Sequence, residues 1–310
     1  MTAGSHDLEL WRAGGSHVRL LGQNIFVRCG GDGELLLLLH AYPTASWGFH
    51  KLWGYWCDDY KLIAPDLPGS GFSDKPIGGD FSVARLADTV EALIVQSGAK
   101  TVHVLAHAYA SVVAQELLAR PLDGPNRPFS IGSACFINAG LFPNIGQPTR
   151  MQRLLLSPLG PWISRFTPHP YSIFRRRLAE AFGSDTQPSE NELRIIWRLL
   201  RFNRGLVVVP NVLVYLRDRE RLADRLSGAL ERTDTPIGLI CGAGDPMGGA
   251  EVMRVWRERL PVAPVFELDP RVGHYPPLEC PRDVVAAYRS FRHGLARETD
   301  GSRMGAISRA

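Results

Sequence analysis

The stretch TVHVLAHAYASVVAQELLAR, residues 101–120, combines three different backbone patterns. Thr101–Ala106 is predicted as a strand of apolar character, and Ser111–Arg120 carries apolar residues at helical spacing. The turn between them is centred on Ala108. Its neighbours Ala106 and Ala110 are small, which allows the backbone to come close to adjacent segments there. The stretch therefore predicts a strand, a tight turn and a helix in direct succession.

Strands and helices alternate on both sides of this stretch. Glu34–Leu39 is continuously apolar after its first residue, as expected of a strand buried on both faces. Phe81–Gln96 has helical spacing, and Asp283–Phe291 is predicted as a closing helix. The alternation predicts an α/β fold, with a mostly parallel eight-stranded sheet and helices on both faces. Its predicted strands are His17–Leu21, Asn24–Cys29, Glu34–Leu39, Lys61–Ala64, Thr101–Ala106, Ile131–Ile137, Pro236–Cys241 and Val265–Leu268.

The segment 143–232 interrupts the alternation. It has helical spacing without a clear strand signal, and it holds 15 Arg, no Lys and 8 Asp or Glu, a charge of +7. We predict a helical cap at 143–232, a core formed by 1–142 and 233–294, and a flexible tail at 295–310. The basic character has two interpretations, a solvated Arg-rich face or a surface that attracts an anionic substrate or acidic carrier.

The composition is that of a globular protein. Hydrophobic residues make up 45% of the 310 positions and charged residues 21%, which excludes a disordered chain. A membrane-spanning helix needs about 20 apolar residues, and the longest uninterrupted aliphatic run is Leu35–Leu39. We therefore predict no transmembrane helix and no signal peptide, and we expect a cytoplasmic protein. Five scattered cysteines are expected to be reduced and buried, namely Cys29, Cys57, Cys135, Cys241 and Cys280.

Four motifs with chemical potential occur in a meaningful order. The first is His40-Ala41-Tyr42-Pro43 at the end of the buried strand Glu34–Leu39, and the second is DLPGSGFS at residues 66–73. The third is the turn at Ala108. The fourth is a pair, Asp245 in GAGD and His274 in GHYP, each shortly after a predicted strand. A histidine oriented by a carboxylate is a proton-transfer unit.

Together these motifs resemble the α/β-hydrolase fold over residues 17–293. Within it, the chain is similar to the branch of epoxide hydrolases and haloalkane dehalogenases, and most of all to the mesoderm-specific-transcript-like hydrolases. The last likeness includes FINAGLFP at 136–143, PSENEL at 188–193 and His-Tyr-Pro at 274–276. Four motifs in order carry this resemblance, where any single one would be weak.

The resemblance implies roles for individual residues. His274 is the general base and Asp245 orients its imidazole. The amides of Tyr42 and Tyr109 form an oxyanion hole, and Tyr215 corresponds to the cap tyrosine with which epoxide hydrolases protonate the epoxide oxygen. The family has Ser or Asp where this chain has Ala108. The expected substrate pocket consists of His40, His107, Trp47 and Asn138.

The side chain of Ala108 has no lone pair and cannot act as a nucleophile. Ser111 as a displaced nucleophile is less favoured than a capping or packing role, because it lies within the first helical turn. Ala108 has two possible origins. One is an engineered replacement of a single aspartate to trap a substrate, and the other is natural divergence. Divergence is favoured because Ala41, Ala110 and Ser111 also depart from the family pattern.

Three functions remain compatible with this site. The first is non-hydrolytic acid/base chemistry of the lyase, cyclase or isomerase type by the His274–Asp245 dyad, on a hydrophobic small molecule that is neutral, anionic or carrier-linked. The second is an epoxide hydrolase or haloalkane dehalogenase inactivated by loss of its aspartate. The third is a noncatalytic ligand-binding protein. No pattern for a metal, a cofactor or a nucleic acid is visible, so none is expected, and the oligomeric state is left open.

Overall fold

The computed structural model describes residues 3–124 and 127–307. Eight strands form one sheet in the order β1-β2-β4-β3-β5-β6-β7-β8. Every pairing from β4 through β3 to β8 is parallel, whereas β2 is antiparallel to both β1 and β4. The predicted fold class is thereby confirmed. The strands are β1 Gly15–Leu20, β2 Gln23–Gly30, β3 Glu34–Leu39, β4 Tyr60–Pro65, β5 Thr101–His107, β6 Ser130–Ile137, β7 Ile237–Gly242 and β8 Val265–Leu268.

The helices surround this sheet and follow it in chain order. They are α1 Ala3–Ala13, α2 His50–Trp56, α3 Val83–Ser97, α4 Ser111–Asp123, α5 Arg150–Leu156, α6 Gly160–Phe166, α7 Tyr171–Ala179, α8 Glu190–Arg201, α9 Gly205–Val212, α10 Val214–Arg221, α11 Ala223–Arg232, α12 Gly249–Arg259, α13 Pro276–Glu279 and α14 Pro281–Ile307. Short 3-10 turns lie at Ser46–Phe49, Ala108–Ala110 and Phe202–Arg204.

The apolar run in β3 separates two hydrophobic cores, because successive side chains of a strand point to opposite faces of the sheet. Leu35, Leu37 and Leu39 pack with α3, α4, α11 and α12 on one face. Leu36 and Leu38 pack with α2 and α14 on the other. A strand covered on both faces has no solvated side, which explains why its sequence does not alternate.

The helices α5–α11 are inserted between β6 and β7, as a cap over the carboxyl edge of the sheet. A third core joins this insertion to the rest of the protein, through Leu193 and Ile196 of α8 packed near Trp11 of α1. The helix α11 lies within the predicted cap, 143–232, yet it packs on α4. There Arg225 of α11 pairs with Glu116 of α4 at 2.8 Å.

The predictions for several helices, for the tail and for the cysteines need correction. The sequence pattern predicted no helix at residues 3–13, 50–56 or 249–259, where the structure has α1, α2 and α12. The predicted closing helix is longer and extends through Ile307, so residues 295–307 of the predicted flexible tail are helical. Residues 308–310 lie outside the described part of the chain. Cys29 is exposed, contrary to the expectation of buried thiols, and all five cysteines are free.

By length and hydropathy alone, the stretch Glu190–Arg221 could cross a membrane. In the structure this stretch consists of α8, α9 and α10 with breaks between them. The backbone at Asn203 has φ 47° and ψ 54°, outside the helical range, and α8 buries Leu193, Ile195, Ile196 and Leu199 inside the protein. Leu193 and Ile196 of this stretch belong to the third core, and Val208 and Val212 pack with the core of the sheet.

Candidate active site

The turn at Ala108 has the predicted strand-to-helix geometry. β5 ends at His107, Ala108 has a φ of 47°, and α4 begins at Ser111. A positive φ is unfavourable for an L-residue, because Cβ approaches the following carbonyl oxygen. The flanking residues Ala106 and Ala110 are fully buried, which leaves no room for larger side chains. The fold therefore holds residue 108 at the tip of the turn, where its side chain faces a cavity.

His274 and Asp245 form a close pair. The Nδ1 atom of His274 lies 3.0 Å from each carboxylate oxygen of Asp245. The carboxylate only accepts hydrogen bonds, so Nδ1 carries the proton and Nε2 is the free nitrogen of the neutral ring. Asp245 is buried, and it also accepts a bond from the amide of Met247 at 2.8 Å. The carboxylate is thus fixed in place by β7 and the loop after it.

The pKa of His274 is raised above its usual value. Burial alone lowers it, but the charge of Asp245, the hydrogen bond to Asp245 and the charge of Glu279 outweigh that effect. A raised pKa makes the neutral imidazole a stronger base. The dyad is therefore suited to general acid/base chemistry.

The loop that carries His274 is tied to three other segments. The Nε2 atom of His107 donates to the His274 carbonyl oxygen at 2.8 Å. Asn138, at the end of β6, donates from Nδ2 to the Gly273 carbonyl at 2.6 Å and accepts from the Gly242 amide at 3.0 Å. The His274 amide donates to the Ala181 carbonyl of the cap at 2.7 Å. These bonds position the base relative to the sheet and the cap.

Glu279 of α13 is a second organising residue, and the sequence analysis did not find it. Its Oε2 accepts from the amides of Gly273, at 2.7 Å, and Gly183, at 2.9 Å, and from the Thr186 hydroxyl. Its Oε1 accepts from the Tyr275 amide at 2.7 Å. One carboxylate thereby joins the loop of the base to the cap segment 183–186.

The cavity in front of Ala108 and His274 has a volume of about 290 Å3. Tyr42, Tyr109 and Tyr215 line it, and the rings of Tyr109 and Tyr215 meet edge-on at 4.8 Å. The hydroxyls of Tyr42 and Tyr109 are buried without a hydrogen-bond partner among the described residues. Burial raises the pKa of both, so both remain neutral donors for a ligand. The rest of the wall is mainly apolar, with Val112, Leu155, Phe174, Leu178, Val209, Leu213, Leu216 and Met247.

Arg219 also lines the cavity, and the sequence analysis missed it. It lies one helical turn after Tyr215 on α10, so both side chains lie on one face of the helix. Its Nη2 donates to the Gly146 carbonyl at 2.7 Å, and no described carboxylate forms an ion pair with it. Burial lowers the pKa of this guanidinium. A guanidinium has five N–H donors, so most of those of Arg219 remain for a ligand.

The structure brings together most of the predicted site residues. Ala108, Tyr42, Tyr109, Tyr215, Asn138 and His274 line the cavity, with Asp245 behind His274. Three residues expected in the pocket do not line it. His40 is fully buried, with Nδ1 bound to the Ala41 carbonyl and Nε2 to the Leu67 amide. Trp47 is buried against the ring of His50, and His107 supports the His274 carbonyl instead.

Ser111 is buried, and its hydroxyl donates to the Ala106 carbonyl at 3.4 Å. The predicted packing role fits this position, since Ser111 does not line the cavity. Among residues 3–124 and 127–307, no group of three His, Cys, Asp or Glu side chains could hold a metal ion.

This fold, with a helical cap over a histidine–aspartate pair at the carboxyl edge of a mostly parallel sheet, is that of a hydrolase superfamily. The model of the alpha/beta hydrolase family matches residues 36–287, and the chain belongs to that family.

Its relatives include proteins from animals and bacteria. The mesoderm-specific transcript protein of Mus musculus is 35% identical over 297 residues, covering 93% of this chain and 88% of that protein. The putative hydrolase LipZ of Mycobacterium tuberculosis is 34% identical over 288 residues, covering 93% and 98%. A cis-3-alkyl-4-alkyloxetan-2-one decarboxylase of Shewanella oneidensis is 24% identical over 281 residues, covering 84% and 82%.

Two solved structures share the fold. The epoxide hydrolase CorEH superposes with a TM-score of 0.73 at 19% identity, covering 91% of this chain and 99% of that one. The haloalkane dehalogenase DbeA from Bradyrhizobium elkani superposes with a TM-score of 0.75 at 21% identity, covering 92% and 99%.

Proposed function

We propose that this protein is an enzyme in which the His274–Asp245 dyad performs non-hydrolytic acid/base chemistry on a hydrophobic small molecule. One observation carries the proposal. A hydrogen-bonded dyad faces a cavity in which the central residue of the turn, Ala108, has no nucleophilic atom. The reaction class is a lyase, cyclase or isomerase type, because each of these needs proton transfer without a covalent enzyme intermediate.

The first step is proton abstraction by Nε2 of His274 from a carbon next to a ketone, ester or thioester carbonyl. Asp245 stabilises the resulting imidazolium through Nδ1. The electron pair moves onto the carbonyl oxygen, where the amides of Tyr42 and Tyr109 stabilise the enolate. Return of the proton to another carbon is isomerisation, expulsion of a leaving group is elimination, and intramolecular attack is cyclisation.

The wall of the cavity supports a substrate class. Its apolar residues suit an alkyl or similar hydrophobic chain. Arg219 supports an anionic group on that chain, since a half-buried guanidinium without a carboxylate partner favours a negatively charged ligand. The similar decarboxylase of Shewanella oneidensis is named for the loss of CO2, which supports a lyase within this fold.

A second candidate function follows from the turn itself. Residue 108 keeps a φ of 47° although alanine gains nothing chemical from that position. Such a turn fits a hydrolase of the epoxide-hydrolase or dehalogenase type that has lost its aspartate. LipZ, at 34% identity, is named as a putative hydrolase.

Product mass distinguishes the candidates. The experiment incubates three proteins, namely the unaltered chain, Ala108→Asp and His274→Gln, with alkyl β-lactones, 3-oxo esters, epoxides and haloalkanes. The matched control is His293→Gln, because His293 is exposed on α14. We expect products of unchanged mass, or lighter by the proton and the leaving group that elimination removes, from the chain and from His293→Gln only.

Two other results contradict this proposal. Hydrolysis by Ala108→Asp alone, with no conversion by the unaltered chain, supports the lost hydrolase. Conversion that His274→Gln leaves unchanged excludes the dyad as the catalyst. Each substrate would also be compared with a version that carries a terminal carboxylate. Conversion of both by Arg219→Gln tests separately whether Arg219 binds an anionic group.

A further inference from the structure

Exposed apolar side chains are concentrated in the first three helices of the cap, α5 to α7. Trp162 is 60% exposed and Phe166 63% exposed, and their rings on α6 lie 5.9 Å apart. The remaining members come from α5, α7 and the loop between α5 and α6. We call the whole set the cap patch: Met151, Leu154, Leu159, Trp162, Phe166 and Ile173. Large exposed apolar groups so close in the chain indicate a binding surface rather than scattered surface residues.

The charge around the cap patch is mainly positive, although Arg175 and Arg177 pair with Glu190 and Glu180. Residues 143–179 contain six Arg and no Lys, Asp or Glu. Arg150, Arg153 and Arg165 are exposed, and none forms an ion pair with a described carboxylate. The guanidinium of Arg165 lies 5.6 Å from the centre of the Phe166 ring, so cation and aromatic group share one surface.

We propose that the cap patch docks on the surface of an anionic phospholipid bilayer. Tryptophan and phenylalanine insert at the boundary between headgroups and acyl chains, where their rings leave water. Arginines around them contact the lipid phosphates, for which the planar guanidinium is well suited. Each basic residue near an anionic membrane contributes about 1 kcal/mol, so charge and apolar burial act together.

Charge complementarity selects this occupant over a second copy of the chain. Two copies meeting through the cap patch would bring together the unpaired Arg150, Arg153 and Arg165 of each chain. Such like charges repel when water is removed from between them. An anionic headgroup layer neutralises the same arginines.

The cap patch lies beside the cavity. α5 contributes Met151 and Leu154 to the patch, and Gln152 and Leu155 to the cavity wall. Docking would therefore place the cavity near the acyl-chain region of the bilayer. This inference rests on the cap surface alone and is independent of the chemistry proposed for His274.

Vesicle sedimentation tests the inference. The full chain is mixed with vesicles of phosphatidylcholine, or of phosphatidylcholine with phosphatidylglycerol, and the bound fraction is measured. We expect binding to the second kind only, and weaker binding at high salt. Trp162→Ser with Phe166→Ser is expected to reduce affinity about tenfold, and joint replacement of Arg150, Arg153 and Arg165 by Gln about a hundredfold.

Matched controls separate docking from general effects. Val262→Ser alters an exposed apolar residue outside the cap, and Arg19→Gln alters an exposed arginine on β1, so both are expected to bind like the unaltered chain. Circular dichroism checks that each variant is folded. Equal binding to both kinds of vesicle, absence of binding, or undiminished binding by the cap variants overturns the inference. Concentration-dependent dimerisation that Trp162→Ser with Phe166→Ser abolishes would identify a self-association surface instead.

Discussion

His107 and His274 are joined by a hydrogen bond of 2.8 Å from the Nε2 atom of the first to the carbonyl oxygen of the second. Burial, together with the nearby charge of His274, lowers the pKa of His107 to about 3, so its ring is neutral. A carbonyl only accepts, and Nε2 therefore carries the ring proton. The residue before Ala108 thus fixes the loop of the base, although its side chain does not line the cavity.

Removal of this bond is expected to destabilise the protein. His107→Leu leaves the His274 carbonyl without the partner, at a cost of about 1–3 kcal/mol in the free energy of unfolding. His107→Gln retains a donor and is expected to recover part of that loss. Urea unfolding measures both variants, and an unchanged stability of His107→Leu would show that the bond is dispensable. A change in the NMR titration of His274 in His107→Leu reports on positioning of the base.

Relief of the strained turn at Ala108 is expected to raise the stability of the protein. Ala108→Gly relieves a positive φ of 47° and is expected to raise stability by about 1 kcal/mol. The matched control is Ala110→Gly, because Ala110 has an ordinary helical φ of −77°. There glycine adds unfolded-state freedom and removes a buried methyl group, so a loss of about 1–2 kcal/mol is expected. Thermal unfolding of both variants provides the comparison, and equal shifts would contradict the strain.

Asp245 is expected to keep the pKa of His274 high. Burial opposes the charged imidazolium, and the charge of Asp245 is the largest effect that favours it. Asp245→Asn removes this charge, so the pKa of His274 is expected to fall. Titration of the His274 ring by NMR measures it, with the exposed Asp269→Asn as control. Any activity that needs neutral His274 would then extend to lower pH, and an unaltered titration would argue against the pair.

Glu279→Gln is expected to have two separate effects. An amide oxygen replaces one carboxylate oxygen, and the new NH2 group faces amide donors instead of accepting from them. The free energy of unfolding is expected to fall by about 2 kcal/mol. The pKa of His274 is also expected to fall, because the charge of Glu279 raises it. Unfolding and NMR titration are independent readouts, and Glu251→Gln on the exposed face of α12 is the control.

Acid is expected to destabilise the protein through its buried neutral histidines. The pKa of His107 is lowered to about 3 and that of His103 to about 4, chiefly by burial. In the unfolded chain both titrate near 6.5, so below that pH the unfolded state binds more protons. Stability should therefore fall as the pH decreases from about 6.5 to about 4, by up to about 1.4 kcal/mol per pH unit for His107.

His274 contributes with the opposite sign. Its folded pKa is raised, so its contribution is fully present below about pH 6.5 and is lost as the pH rises through the folded value. Urea unfolding at neutral and mildly acidic pH measures the sum, and His103→Gln is expected to flatten the acid branch. A stability that increases on acidification would show that the buried histidines do not dominate.

Local pattern predicted the sheet and the order of the site motifs. The apolar run of β3 and the small residues around Ala108 are local signals, and both predictions were confirmed by the structure. Arg219 and Glu279 carry no such signal. Their partners Gly146 and Gly183 are distant in the chain, so only the folded cap reveals them. His40 was misplaced because its sequence position does not show that both ring nitrogens are bound to backbone.

The contact of Glu279 with the cap has a consequence for recombination between relatives. A Cβ on Gly183 would overlap the carbonyl oxygen of Arg271, and a Cβ on Gly273 would overlap the Gly183 nitrogen. A cap transplanted from a relative must therefore supply glycine at 183 together with a donor at 186. In chimeras whose crossover separates residues 181–186 from residues 273–279, the two sides of this contact would come from different proteins and would not fit each other. Specificity can be transferred between relatives when the whole cap insertion is exchanged together with the loop 273–279 that contacts it.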